Sequence, residues 1–256
     1  MLRRKRQLET NFCTKIKEIN NCSESKVVMT TSSSDTGRLL IVTLFLSIEN
    51  KVNFTALPSL LLPYSMPKVI FTEVEVKKQL CNLKTDKSPG PDLLHPRIIH
   101  ELRDVLVSPL TTLFTQSMNQ GILPNDWKMS TVTPVFKKGR KDVIDNYRPI
   151  SLTCISCKIM ESIIRNKLME YFFINNLFSS KQYGFIKGRS TVLQLLKVSD
   201  DWTKLLENKG QIDIIYTDLE KAFDKVPHQR LLSKLHSYGI NTVLISWIKS
   251  FLCSRV

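Results

Sequence analysis

The sequence predicts an α+β fold, and three observations carry that expectation. Apolar residues recur at helical spacing in several stretches. The β-branched runs are short and bounded by polar turns. Strands and helices do not alternate in a βαβ rhythm, and no segment repeats another. The 256 residues, 42% of them hydrophobic, suffice for one large domain with a real core, or for one and a half small ones.

Residues 1–68 read as a poorly ordered leader or linker, or the remnant of an upstream module. They open with Arg3-Arg4-Lys5-Arg6 and contain the Thr30-Thr31-Ser32-Ser33-Ser34 tract, with weak periodicity throughout. The basic tetrad suits a nuclear-import or nucleic-acid patch, but such short runs are more often solvated tails. The longest apolar run, Leu39 to Ile48, is half of what a bilayer span needs, about 20 residues. It also lies too deep for a signal peptide. A soluble intracellular segment is expected.

From Thr72 the pattern tightens. Thr72 and Glu75 have the spacing of a capping box, and Val76, Leu80 and Leu83 follow at helical spacing. Lys87-Ser88-Pro89-Gly90-Pro91-Asp92 ends that helix, because prolines and glycine do not propagate it. Ile98, Ile99, Leu102, Leu106, Leu110, Leu113 and Phe114 predict one second helix, with Gly121 as its C-cap. Ser130 to Phe136 is β-branched and extended. After the polar Lys137-Lys138-Gly139-Arg140 turn, Tyr147 to Leu152 returns antiparallel to it. Ile159, Met160, Ile163, Ile164 and Met169 mark another helix, and Ser190 to about Asn208 a further one stopped by Gly210. Ile212 to Thr217 reads as a mostly buried strand delivering Asp218 at its end. Leu231, Leu232, Leu235 and Tyr238 then lie on a helix closed by Gly239.

The net charge is +14, from 37 Lys plus Arg against 23 Asp plus Glu. Such a balance favours polyanions, nucleic acid first among them, although a basic protein without that role fits the same charge. Six cysteines are scattered; Cys154 and Cys157 form a lone C-x-x-C with no second pair to complete a zinc site. Free thiols in a reducing compartment are expected.

Three constellations carry chemistry. In Thr217-Asp218-Leu219-Glu220-Lys221-Ala222-Phe223-Asp224, a carboxylate at the end of a buried strand suits a cation such as Mg²⁺, which takes hard oxygen ligands. On spacing alone a helix-capping role for Asp218 or Asp224 fits better. Lys137 and Arg148 flank the hairpin turn and can face one anion, or stand as a solvated basic turn. Gln182-Tyr183-Gly184-Phe185 with Lys187-Gly188-Arg189-Ser190 offers aromatics beside cations, a pattern suited to bases and phosphates, or to core packing of Tyr183 and Phe185.

Together these residues resemble the reverse transcriptases of non-LTR retrotransposons of the LINE type, especially the Jockey and CR1-like branches. The resemblance runs from about residue 70 to the end. Lys87 to Asp92 looks like the family's N-terminal extension motif. Pro134 to Gly139 and Asn146 to Leu152 resemble its fingers motifs, and Gln182 to Phe185 its next block. Asp218 to Val226 is similar to motif A of the palm, and Leu231 to Leu252 to the stretch beyond. The resemblance implies a right-hand polymerase fold. Residues 69–256 would form a partial reverse transcriptase domain: 69–128 the helical N-terminal extension, 129–210 the fingers, and 211–256 the start of the palm, with no thumb.

It also implies roles. Asp218 would bind both catalytic Mg²⁺ ions with the Leu219 carbonyl as a further ligand, and Phe223 would be the steric gate favouring dNTPs. Lys137, Arg148 and Gln182 would contact the incoming nucleotide. Gly184, Lys187 and Arg189 would lie in the template and primer region. RNA template, DNA primer and dNTPs would be the partners, no membrane or obligate protein partner is expected, and the action would be nuclear. The family's other catalytic carboxylates come from a Tyr-x-Asp-Asp loop, and these 256 residues contain none. Asp200-Asp201 precedes motif A, in a predicted helix, and is assigned to a solvated face. The implied activity is RNA-directed DNA synthesis, with this polypeptide alone expected to be inactive. A non-catalytic nucleic-acid-binding remnant is the alternative from another class, and a group II intron maturase or telomerase-like protein the alternative among related enzymes.

Overall fold

The computed structural model describes residues 65–210 and 226–255. The predicted strand Ile212–Thr217 and the segment carrying Asp218, Leu219, Phe223 and Asp224 lie outside the described residues, as does most of the leader. What is described is a helical core with a small antiparallel sheet.

Helix α1 (Glu73–Cys81) starts where the sequence places it. Thr72 Oγ1 accepts the Glu75 N–H at 3.2 Å, and Glu75 Oε2 accepts the Thr72 N–H at 3.3 Å. The box satisfies two backbone donors that the first turn would otherwise leave open. Val76 and Leu80 are buried without remainder. Lys167, from a later helix, reaches Glu75 Oε1 at 2.7 Å and ties the two helices together.

The Lys87–Asp92 loop then seats Gly90 against the chain at Thr153 and Cys154. A Cβ on Gly90 would stand 2.7 Å from the Cys154 N and Cα and from the Thr153 carbonyl carbon. Only glycine lets two backbones meet that closely.

The single second helix expected from Ile98 to Phe114 is instead two: α2 (Pro96–Glu101) and α3 (Arg103–Gln120), hinged at Leu102 with ψ 10°. Arg103 Nη1 donates to the His100 carbonyl at 3.0 Å. That carbonyl would accept the Asp104 N–H in an unbroken helix, so a local side chain has displaced a ladder bond. Apolar spacing alone does not register such a substitution. Helix α3 buries Val107, Leu110, Phe114 and Met118. Phe71 and Trp127 pack on the Phe114 ring at 5.7 and 5.8 Å between centroids.

Strands β1 (Thr131–Phe136) and β2 (Tyr147–Leu152) pair antiparallel as expected, with Val135 opposite Arg148 and Phe136 opposite Tyr147. Helix α4 (Ile155–Ile174) follows and buries Ile155, Ile159, Met160, Ile163, Ile164, Leu168 and Phe172 in one stripe. Helix α5 (Thr191–Glu207) begins at Ser190, whose Oγ accepts the Leu193 N–H. It buries none of its residues, and Val192, Leu195, Leu196 and Leu206 are all exposed. Asp200 pairs on the surface with Lys204 at 2.6 Å, as a solvated face requires.

Helices α6 (His228–Ser237) and α7 (Thr242–Leu252) close the described chain. Tyr171 donates its hydroxyl to the Tyr238 carbonyl at 2.8 Å, joining α4 to the end of α6. Trp247 donates its indole N–H to Ser117 Oγ at 3.0 Å, and Ser117 passes its own proton to the Ile122 carbonyl. A buried indole with that partner fixes α7 on α3.

Four helices end on one device, in which a left-handed residue folds the last turn back on itself. Gly121 and Gly239 do this as the sequence suggests, at φ 64° and 74°. Asn176 does it after α4, at φ 51°. After α5 the left-handed residue is Lys209 (φ 57°) and not Gly210. The Lys209 N–H bonds the Leu206 carbonyl and the Gly210 N–H the Leu205 carbonyl. The expected stop therefore holds with its strained residue moved one position earlier.

Two tests follow from this packing. Gly90→Ala should lower stability by about 1–3 kcal/mol, the usual penalty for forcing a methyl into a closed contact, read as a drop in thermal midpoint. Burial raises the Glu75 carboxyl, but Lys167 and the Thr72 cap together outweigh it and leave it below its ordinary value of 4.5. Stability from Glu75 is thus fully present above pH 4.5 and fades as pH falls through the lowered value. Glu75→Gln keeps the cap, loses the ion pair and should flatten that acid limb, at a neutral-pH cost of roughly 0.5 kcal/mol.

Candidate functional site

The hairpin supplies one half of the candidate site. Lys137 follows Val135 by two residues, so it shares the sheet face of Val135 and of Arg148 opposite it. Both cations are exposed, and neither has an ion pair among the described residues. The Lys137 N–H donates to the Asn146 carbonyl at 2.8 Å, extending the ladder to the base of the turn.

The turn is held by its own polar groups. Asn146 donates its side-chain amide to the Arg140 carbonyl at 2.8 Å, and Tyr147 its hydroxyl to the Lys141 carbonyl at 2.7 Å. Arg140 grips Asp142 with two nitrogens, which holds its guanidinium above and the Asp142 carboxyl below their ordinary values. Gly139 sits at φ 87°, with the Asn146 side chain 2.7 Å from where a Cβ would go. On the other face Phe136 and Tyr147 meet edge to face at 5.5 Å, and Lys141 lies 5.8 Å over the Phe136 ring. The hairpin therefore presents cations on one face and an aromatic pair on the other.

The Gln182–Arg189 loop supplies the second half. Arg189 Nη1 donates to two carbonyls, of Ser179 and of Gln182, each at 2.6 Å. The Gln182 amide leans toward the Gly184 carbonyl at 3.5 Å. Phe185 is half exposed at φ 62°, an uncommon backbone setting for a bulky residue, while the neighbouring Ile186 is buried. Phe185 therefore does not supply the core packing that was one of the two readings open for these aromatics, and the buried residue of the block is Ile186, which the sequence reading passed over. Tyr183 is half-buried, and Lys187 is exposed.

Gln182 also lines a cleft of about 310 Å³ with Phe178, Ser179, Lys234 and Tyr238. Lys234 is nearly buried, its ammonium 5.5 Å over the Tyr238 ring, and burial pushes it below its ordinary value. Sequence reasoning missed Lys234, because a lysine on an amphipathic helix carries no sign of burial. The cleft brings the Gln182 block beside α6.

Asp218, Leu219 and Phe223 lie outside the described residues. Among the described residues no group of three His, Cys, Asp or Glu side chains stands ready to hold a metal ion. Cys154 and Cys157 are free and buried, with Cys157 Sγ donating to Glu161 Oε1 at 3.1 Å. The expected free thiols are therefore found there. No described helix is long and apolar enough to cross a membrane.

Residues 135–256 match the family described as reverse transcriptase (RNA-dependent DNA polymerase), and this matched segment belongs to it. The relatives are proteins of non-LTR retrotransposons. The chain is 33% identical over 171 residues to the RNA-directed DNA polymerase from mobile element jockey of Drosophila melanogaster, covering 66% of this chain and 19% of that protein. It is 32% identical over 196 residues to the jockey enzyme of Drosophila funebris, 75% of this chain and 21% of the relative. It is 27% identical over 175 residues to the probable RNA-directed DNA polymerase from transposon BS of Drosophila melanogaster, covering 68% and 19%. The chain thus spans about a fifth of the length of these curated relatives.

Proposed function

We propose that this chain is the fingers and early palm of a retrotransposon RNA-directed DNA polymerase, whose intact form copies an RNA template from a DNA primer. The observation that carries this reading is the hairpin, where Lys137 and Arg148 share one exposed face inside the segment matched to the reverse transcriptases. A guanidinium fork and a compact ammonium on one face suit the charged oxygens of a nucleotide triphosphate.

In this assignment residues 1–68 are a leader, 69–128 the N-terminal extension, 129–210 the fingers and 211–256 the start of the palm. Asp218 and the Leu219 carbonyl would hold divalent cation, Mg²⁺ by preference, which when bound would supply charge stabilisation for transfer of the nucleotide to the primer 3′-hydroxyl. Phe223 excludes the ribose 2′-hydroxyl, and Gln182 contacts the nucleotide. Gly184, Lys187 and Arg189 line the template and primer region, and the work is nuclear. These 256 residues hold one catalytic carboxylate, too few to fix two ions, so the polypeptide by itself binds nucleic acid without extending a primer.

Binding to a poly(rA)/oligo(dT) hybrid should fall linearly in logarithm with salt. Lys137→Met and Arg148→Met should each lower the slope by about one counterion. Slopes equal to wild type in both variants would remove the hairpin from the interface. Incubation of the hybrid with dTTP and Mg²⁺ should give no extension product. Clear Mg²⁺-dependent synthesis, abolished by Asp218→Asn while salt-dependent hybrid binding persists, would overturn the inactivity and establish a working polymerase.

A further inference from the structure

We infer that Arg189 is a positioning residue, acting through the loop that carries Gln182 and Phe185 and not by gripping a phosphate itself. This rests on the reading of Gln182 and its block as part of the nucleic-acid site.

One nitrogen, Arg189 Nη1, donates at 2.6 Å to the carbonyls of Ser179 and Gln182, ten and seven residues earlier. Charge-assisted bonds at that length are the strong ones. They close a loop that otherwise has little regular structure. Ser179 is the second node: its carbonyl also accepts the Gln182 N–H at 3.2 Å, and its hydroxyl accepts the Lys181 N–H at 3.2 Å. The return limb is turned by two left-handed residues, Phe185 at 62° and Gly188 at 80°. The Arg189 N–H then closes on the Ile186 carbonyl at 3.1 Å.

A bulky residue held left-handed persists only where its surroundings over-determine it. Here the guanidinium and the buried Ile186 are those surroundings, and the Phe185 ring is left half exposed above them. Ser190, next in the chain, caps α5, so the clamp is anchored to a rigid element. Within this loop Lys181 and Lys187 are exposed cations suited to phosphate, whereas the Arg189 Nη1 is spent on the chain's own carbonyls. The result is a fixed Gln182 backbone at a residue that lines the cleft shared with Lys234.

The test uses the full chain, a fluorescein-labelled poly(rA)/oligo(dT) hybrid read by anisotropy across a salt series, and hydrogen exchange of the loop amides. Arg189→Met, which removes both charge-assisted bonds that close the loop, should weaken binding about tenfold, with the salt slope unchanged and exchange faster at residues 182–189. Arg189→Lys, which keeps a donor for the two carbonyls, should restore most of both. In a double-mutant cycle with Gln182→Ala, the Arg189→Met loss should be largely absent, since the residue it positions has already gone. A slope lowered by about one in Arg189→Met would make Arg189 a phosphate contact and overturn the inference. Unchanged loop exchange, or full additivity with Gln182→Ala, would overturn it too. If wild type does not bind the hybrid, the nucleic-acid reading fails, while the exchange comparison of Met and Lys variants still decides the clamp.

Discussion

The apolar stripe of α4 is the constraint on which the rest of the described chain depends. Ile155, Ile159, Met160, Ile163, Ile164, Leu168 and Phe172 are all buried, at the three- and four-residue spacing that puts them on one side of a helix. Each neighbour adds a polar tie beside that stripe. Gln79 of α1 meets Ser162 at 3.1 Å, Glu75 meets Lys167, and the end of α6 is held by the Tyr171 hydroxyl. Burying such side chains is worth roughly 1.5–3 kcal/mol each. The polar ties add less, but they fix rotation and register, which a purely greasy contact leaves free.

Much of this was legible in the sequence because local chemistry and tertiary packing agree. The Thr72–Glu75 box, the Ser190 cap and the Gly121 and Gly239 closures are all short-range devices, and each stands where its residue type predicts. The hairpin was legible for the same reason: Pro134 and the β-branched residues around it sit in a ribbon that, among the described residues, has two strands, with no second partner strand there to need the missing N–H. What escaped was decided by single side chains. Arg103 broke a helix whose spacing looks continuous, and Lys209 took the left-handed position beside a glycine better suited to it. Burial of Lys234 depends on what lies across the cleft, which no local window contains.

The candidate site was legible as a set of residues and illegible as an arrangement. Sequence order placed Lys137 and Arg148 on either side of one turn, and the strand alternation, carried one residue past the register by the Lys137–Asn146 bond, puts them on one face. Gln182 and Arg189 were both singled out as ligand-facing, yet Arg189 turns inward to its own backbone. Residue type announces what a side chain is able to bind. Whether it binds a ligand or its neighbour depends on how the loop closes.

Among the described residues the hairpin's main packing partner is itself: β1 and β2 contact each other far more than any other described element. Six residues of strand extend about 20 Å, so the ribbon is a lever whose fulcrum is the chain at Gly90 and Cys154. A tilt of roughly 10° at that fulcrum carries the far end of the ribbon about 3.5 Å, more than a hydrogen bond's whole working range. The accuracy with which its two cations meet an anion is thus set at the fulcrum, where a glycine admits no slack. Rigidity at a point remote from the charge is what gives the charge its aim.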